Sequence, residues 1–498
     1  MTYKFSGFGF FGYLFVIGML FGFPGVMKGQ STQVKTLLLK NITIIDGTGA
    51  KPYRGSVRIR DENIEAIFQD GEVIPSDPEM EVRDGSRQWV IPGMVDLLTH
   101  ISARSYISDQ SPYRMDELFG DILRRDQKER LSIYQELLHH CLRNGITTFV
   151  DSISSLADLE ILQTKLDDKT FPNFYSLGPI LSPRGGHPAV LDDTGWKYEL
   201  PIDHSAATAV VEIQTELEKW FTRYPLAGLK IAVDGPSETG GTAPRVPKAL
   251  IEAVVRTAKA HGKPVFFLAF SDQGIQDAAA AGASVKLGVP IVIGNPGLTP
   301  KPETWEALRT HDVKLLSITA TWGANLWRYM EDATRSAPNR TPLIYDGNSY
   351  FNHLPEEARR HYEGYLQRYV HGDAATRKWV EASGENLSKI VHQQLMQAVQ
   401  GSHPLNLIPT ADSGATWAFH GNLWMELEGL KGIITPLEAI SQVTLGAART
   451  MGLEKKVGSI EVGKMADLVV LNADPLADAR NLQAIAFVLK AGMDVKSW

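Results

Sequence analysis

Val90-Ile91-Pro92-Gly93-Met94-Val95-Asp96-Leu97-Leu98-Thr99-His100 is the stretch that decides the fold. An apolar run meets Pro92-Gly93, a pair that interrupts regular structure, and resumes as a short strand-like segment closing on a histidine. The histidine therefore stands at a strand's carboxyl end, where a parallel α/β barrel keeps its chemistry.

Working outward, strand-like and helix-like runs alternate from about 91 to 454, the pattern of parallel strands joined by crossover helices. After a helical run at 124–143, strands are expected at Gly145–Asp151, Asn173–Gly178, Ala227–Val233 and Pro264–Phe270. Weaker ones are expected at Pro290–Ile293 and Val313–Ile318, and the last at Leu405–Asp412. The charged, Tyr-rich stretch 322–402 is too long for one crossover and reads as a helical insertion at the barrel mouth. Both flanks differ in character. Residues 34–90 and 455–498 carry short period-two runs between turn residues, which read as antiparallel strands.

The chain of 498 residues can hold one large barrel with a smaller domain. Hydrophobic residues at 43% and charged residues at 21% are globular values. A net charge of -7 without a long basic run offers no footprint for nucleic acid and favours a small-molecule substrate or ligand. Residues 1–30 read as a secretory signal peptide: Lys4, an apolar run from Phe8 to Phe23, then Pro24-Gly25 and a polar tail. The alternative is an uncleaved N-terminal anchor, the one route by which a membrane would become a partner. Export to a periplasmic or extracellular space suits a chain whose single cysteine, Cys141, permits no internal disulfide. The composition is compatible with an oligomer.

These residues resemble the amidohydrolase superfamily, in its imidazolonepropionase-like and Xaa-dipeptidase-like branch. Asp96-Leu97-Leu98-Thr99-His100 is similar to the family's first barrel strand, Asp-x-His-x-His, and Gly463-Lys464-Met465-Ala466-Asp467-Leu468-Val469 with Asp474-Pro475-Leu476 are similar to phrases that mark its fold. The resemblance implies a (β/α)8 TIM barrel with a small flanking β-sandwich made from both chain ends, and hydrolysis of an amide, cyclic amide or dipeptide C–N bond. It also implies two divalent ions held by two histidines of strand one, a carboxylated lysine of strand four, a histidine each of strands five and six, and an aspartate of strand eight that serves as general base. His100, Lys230 in Gly228-Leu229-Lys230-Ile231, and Asp412 in Thr410-Ala411-Asp412-Ser413-Gly414 match three of these positions. Taken without the resemblance, Lys230 reads as a strand-end side chain reaching solvent and His100 as a hydrogen-bonded structural histidine.

Leu98, Leu268 and Leu287 stand where the other ligands are expected, and leucine has no lone pair for a metal. The surviving groups could hold at most one weakly bound ion such as zinc. His187, in Gly185-Gly186-His187-Pro188, resembles a loop phrase that faces the substrate; its other reading is a loop histidine without a role. Two functional expectations follow: a hydrolase with a reduced site and Asp412 as base, or a non-catalytic descendant that keeps the pocket and binds a ligand or partner.

Overall fold

The computed structural model describes residues 36–495, except 104–119, 121, 167–168, 236–242, 284–289, 293–299, 312, 320–388, 402, 415–417 and 419. The expected leader at 1–30, Leu287 and most of the expected insertion lie outside the described residues; of the insertion, 389–399 is helical. Among the described residues no helix is long and apolar enough to cross a membrane.

Both chain ends meet in one eight-stranded sheet. Its strands are β1 (Thr36–Ile44), β2 (Tyr53–Arg60), β3 (Asn63–Gln69), β4 (Glu81–Asp84) and β5 (Trp89–Pro92) from the first end. From the second come β16 (Leu468–Leu471), β17 (Ile485–Lys490) and β18 (Met493–Asp494). The order is β18-β17-β16-β5-β1-β2-β3, with β4 on β1, so β16 from the far end of the chain pairs antiparallel with β5. The expectation of antiparallel strands is corrected at two places: β4 and β5 pair with β1 in parallel. Each returns to β1 through a connection longer than a hairpin, and parallel pairing needs such a crossover.

The remaining strands are parallel. β6 (Met94–Thr99), β7 (Ile146–Asp151) and β8 (Asn173–Ser176) form a three-stranded sheet in that order. β9 (Ile180–Pro183), β10 (Lys197–Leu200), β11 (Leu229–Ala232), β12 (Val265–Leu268), β13 (Pro290–Val292), β14 (Lys314–Ser317) and β15 (Asn406–Pro409) form a seven-stranded one, in the order β10-β9-β11-β12-β13-β14-β15. All eight strands expected from the sequence are found, each within the quoted run. β9 and β10 were not expected. The sheets touch at both margins: Ala227 N–H donates to Ser176 O at 2.9 Å, and His100 N–H to Ser413 O at 2.8 Å beside a parallel bridge between Thr99 and Ser413.

β6 and β7 are buried along their whole length, Asp96, Thr99, Thr147, Thr148 and Asp151 included, so neither shows the apolar-polar alternation of a half-exposed strand. Val95, Leu98, Val150, Phe266, Leu316 and Ile408, from five strands of the two parallel sheets, share one apolar cluster. Helices Ala206–Arg223 and Lys248–Ala260 place Ile213, Leu217, Trp220, Ile251 and Val254 in a second cluster with β11 and β12 residues. Gly93, the break before β6, lies so close to Thr147 that an added Cβ would sit 2.1 Å from its Oγ1 and 2.7 Å from its Cβ. Gly93→Ala is expected to destabilise the fold by about 1–3 kcal/mol, read as a lower urea midpoint with unchanged slope.

Candidate active site

His100 is the first residue beyond β6, Lys230 the second residue of β11, and Asp412 lies just beyond β15. Their strands are distant in sequence, yet the three side chains meet. The bond from His100 N–H to Ser413 O draws the ends of β6 and β15 together and sets His100 Nδ1 3.4 Å from Asp412 Oδ1. On its other side His100 Nε2 lies 3.1 Å from Lys230 Nζ. Lys230 also donates to Ser152 Oγ at 3.1 Å, and Ser152 donates in turn to Thr99 O at 2.8 Å. All three groups are buried, at 7%, 3% and 8% exposure. Lys230 therefore does not reach solvent, which removes the snorkelling reading.

Burial dominates the electrostatics. It holds the His100 imidazole well below its ordinary range, with the Lys230 charge adding to the effect. It brings the Lys230 amine down to about 8, against the opposing pull of Asp412 and Asp151. Two further carboxyls sit behind the row. Asp96 accepts from Ala411 N–H at 3.0 Å and Asp151 from Ile101 N–H at 2.9 Å and Ser154 Oγ at 2.6 Å, and burial raises both to about 7. Because the folded values exceed the ordinary 3.8, the folded state binds the extra protons between about pH 4 and pH 7. The contribution of these two groups is thus fully present below that window and lost as pH rises through about 7. The expected result is that Asp151→Asn flattens the fall of the urea midpoint measured between pH 5 and pH 8.

Leu98 is buried in the apolar cluster, and the half-buried Leu268 packs against the same cluster at the end of β12. Among the described residues no group of three or more histidine, cysteine, aspartate and glutamate side chains is placed to hold a metal ion. Among the described residues the donors at the row are one imidazole, one carboxylate and an amine directed at the imidazole. Taken by themselves, these described donors do not fit a two-ion centre, and they are one ligand short of the three protein donors usual for a single catalytic zinc.

His187 lies elsewhere at the strand ends. Its ring meets Phe270 edge-on at 5.2 Å, and Gly235 passes so near that an added Cβ would come within 2.4 Å of the His187 Cβ. The loop is held by Lys197, whose fully buried ammonium donates to Gly186 O at 2.7 Å and Asp192 Oδ1 at 2.5 Å; Asp192 Oδ2 takes Gly185 N–H at 2.8 Å. Sequence reasoning missed Ser152, Lys197 and Asp192. Only Ser152 had a signal, as a polar residue at the carboxyl end of an expected strand.

The Amidohydrolase family profile matches residues 419–497. The similarity is to the amidohydrolase superfamily. In sequence it is local: 43% identity over 49 residues with a 5-methylthioadenosine/S-adenosylhomocysteine deaminase of Symbiobacterium thermophilum, 10% of this chain and 11% of that one. An imidazolonepropionase of Erwinia tasmaniensis is 42% identical over 66 residues, 13% of this chain and 16% of that one. The matched stretches thus span about a tenth to a sixth of those relatives' lengths. In fold the likeness extends over most of the chain. A Xaa-Pro dipeptidase solved with bound methionine superposes with TM-score 0.64 at 19% identity, over 92% of this chain and 99% of that one. A molinate hydrolase superposes with TM-score 0.66 at 18% identity, over 93% and 94%. The amidohydrolase-like part with recognisable sequence is the C-terminal segment that carries Asp467.

Proposed function

We propose that this chain hydrolyses a C–N bond of an amide, a cyclic amide or a dipeptide-like small molecule at the row Asp412–His100–Lys230. The contacts at Ala227 and His100, which join the two parallel sheets, support reading them as a (β/α)8 barrel, in which the row would stand at the carboxyl ends of the strands. The observation that supports this reading is the burial of an aspartate, a histidine and a lysine, in or just beyond three strands, with His100 set between Asp412 and Lys230. Asp412 is the base that takes the proton of the attacking water, His100 orients it, and His187 lines the approach. A substrate of this class fits the amidohydrolase likeness, and the leader at 1–30 would deliver the protein outside the cytoplasm. The test is turnover of a panel of N-acyl amino acids, dipeptides and cyclic amides by the mature protein, with Asp412→Asn as control.

Leu98 and Leu268 favour a second reading, a pocket that binds a ligand without turning it over. Saturable binding of a panel member with no product formed would decide for it.

A further inference from the structure

An ammonium group carries three donors. Two of those on Lys230 are directed within the described residues, one to His100 Nε2 and one to Ser152 Oγ. Ser152 serves there as an acceptor, because its own hydrogen goes to Thr99 O. Among the described residues the third donor has no acceptor and is the one available to a ligand. A metal ion at this place would compete with Lys230 for the Nε2 lone pair, while Leu98 lies in an apolar cluster and Leu268 packs against it, neither offering a donor.

We propose that Lys230 takes the place of an ion in this chain: it keeps a plain, uncarboxylated amine, no divalent metal enters the row, and its remaining N–H holds the carbonyl oxygen of the ligand. The catalytic part rests on the hydrolytic reading; the binding part does not. In the reaction, the water oxygen bonds to the amide carbon while Asp412 takes its proton. The carbonyl π pair moves onto the oxygen facing Lys230. That pair then returns, the C–N bond breaks, and the proton on Asp412 passes to the leaving nitrogen, giving an acid and an amine. The apolar wall restricts the ligand to one whose carbonyl is flanked by apolar groups.

The full chain is incubated with zinc or manganese and with carbon-13 bicarbonate, then desalted. Metal is read by inductively coupled plasma mass spectrometry and lysine carboxylation by carbon-13 NMR. Expected are metal far below one equivalent and no carbamate signal. About one equivalent of zinc that disappears in Lys230→Met, or a carbamate signal that does so, overturns the proposal. For any amide of the panel that is turned over, Lys230→Met is expected to lower kcat about 100- to 1,000-fold, the usual cost of one oxyanion donor, and a chelator to leave the wild-type rate unchanged. Loss of activity on chelation also overturns it. If no amide is turned over, the hydrolytic reading fails, whereas the metal and carbamate measurements still decide the state of Lys230.

Discussion

Asp412→Asn is expected to lower kcat on the best amide of the panel by about 100- to 10,000-fold, the range for removing a general base, with little change in thermal stability. Asp412 adopts a positive φ of 51°, a left-handed conformation that asparagine tolerates nearly as well as aspartate. The substitution therefore leaves the backbone beyond β15 in place, together with the bond from His100 N–H to Ser413 O. What changes is the partner of His100 Nδ1. An amide can fill the same volume at 3.4 Å, but it cannot accept a proton from water. The informative comparison is with Leu98→Ala, which opens the apolar wall without touching a titratable group. If both variants reduce kcat alike, Asp412 shapes the pocket and is not the base. If Asp412→Asn alone reduces it, with KM unchanged, the loss lies in the chemical step.

How much of this could be read from the chain beforehand follows from the range of the interactions. β6 was legible because both its faces are buried, which favours the apolar residues Met94, Val95, Leu97 and Leu98 on either side of Asp96 whatever the partners are. The place of His100 at its end followed directly. The meeting of His100, Lys230 and Asp412 was legible only through resemblance, since nothing local in Gly228-Leu229-Lys230-Ile231 says which strand end faces it. Ser152 stayed hidden for the same reason: its role depends on the placement of β6, β7 and β11 together. β9 and β10 span four residues each and mix polar with apolar side chains, too little for a period to register. The parallel pairing of β4 and β5 with β1 was missed because period-two alternation reports a sheet face and not strand direction. The Lys197–Asp192 pair joins residues only five apart, but the loop between Asp192 and the start of β10 has no periodicity that would bring them together in sequence.

Asp467 shows why a phrase that marks a fold can matter as much as one that carries chemistry, and Asp467→Ala is expected to cost about 3–5 kcal/mol of stability. Its carboxylate receives Lys490 Nζ on both oxygens at 3.1 Å, Ala491 N–H at 2.7 Å and Asn173 Nδ2 at 2.9 Å, while its carbonyl takes Gly93 N–H at 2.7 Å. Asn173 opens β8 and Lys490 closes β17, so one buried side chain ties the eight-stranded sheet to the parallel strands that carry the site. Removing it leaves the Lys490 charge buried at 3% exposure without its counter-ion, and that dominates the cost. The double variant Asp467→Leu with Lys490→Met removes both charges and is expected to recover much of the loss, as a positive coupling in a urea-denaturation cycle. If the double variant is no more stable than the single, the cost comes from the hydrogen bonds to Asn173 and Ala491, and the connection between the sheets is held by backbone and amide contacts more than by the ion pair.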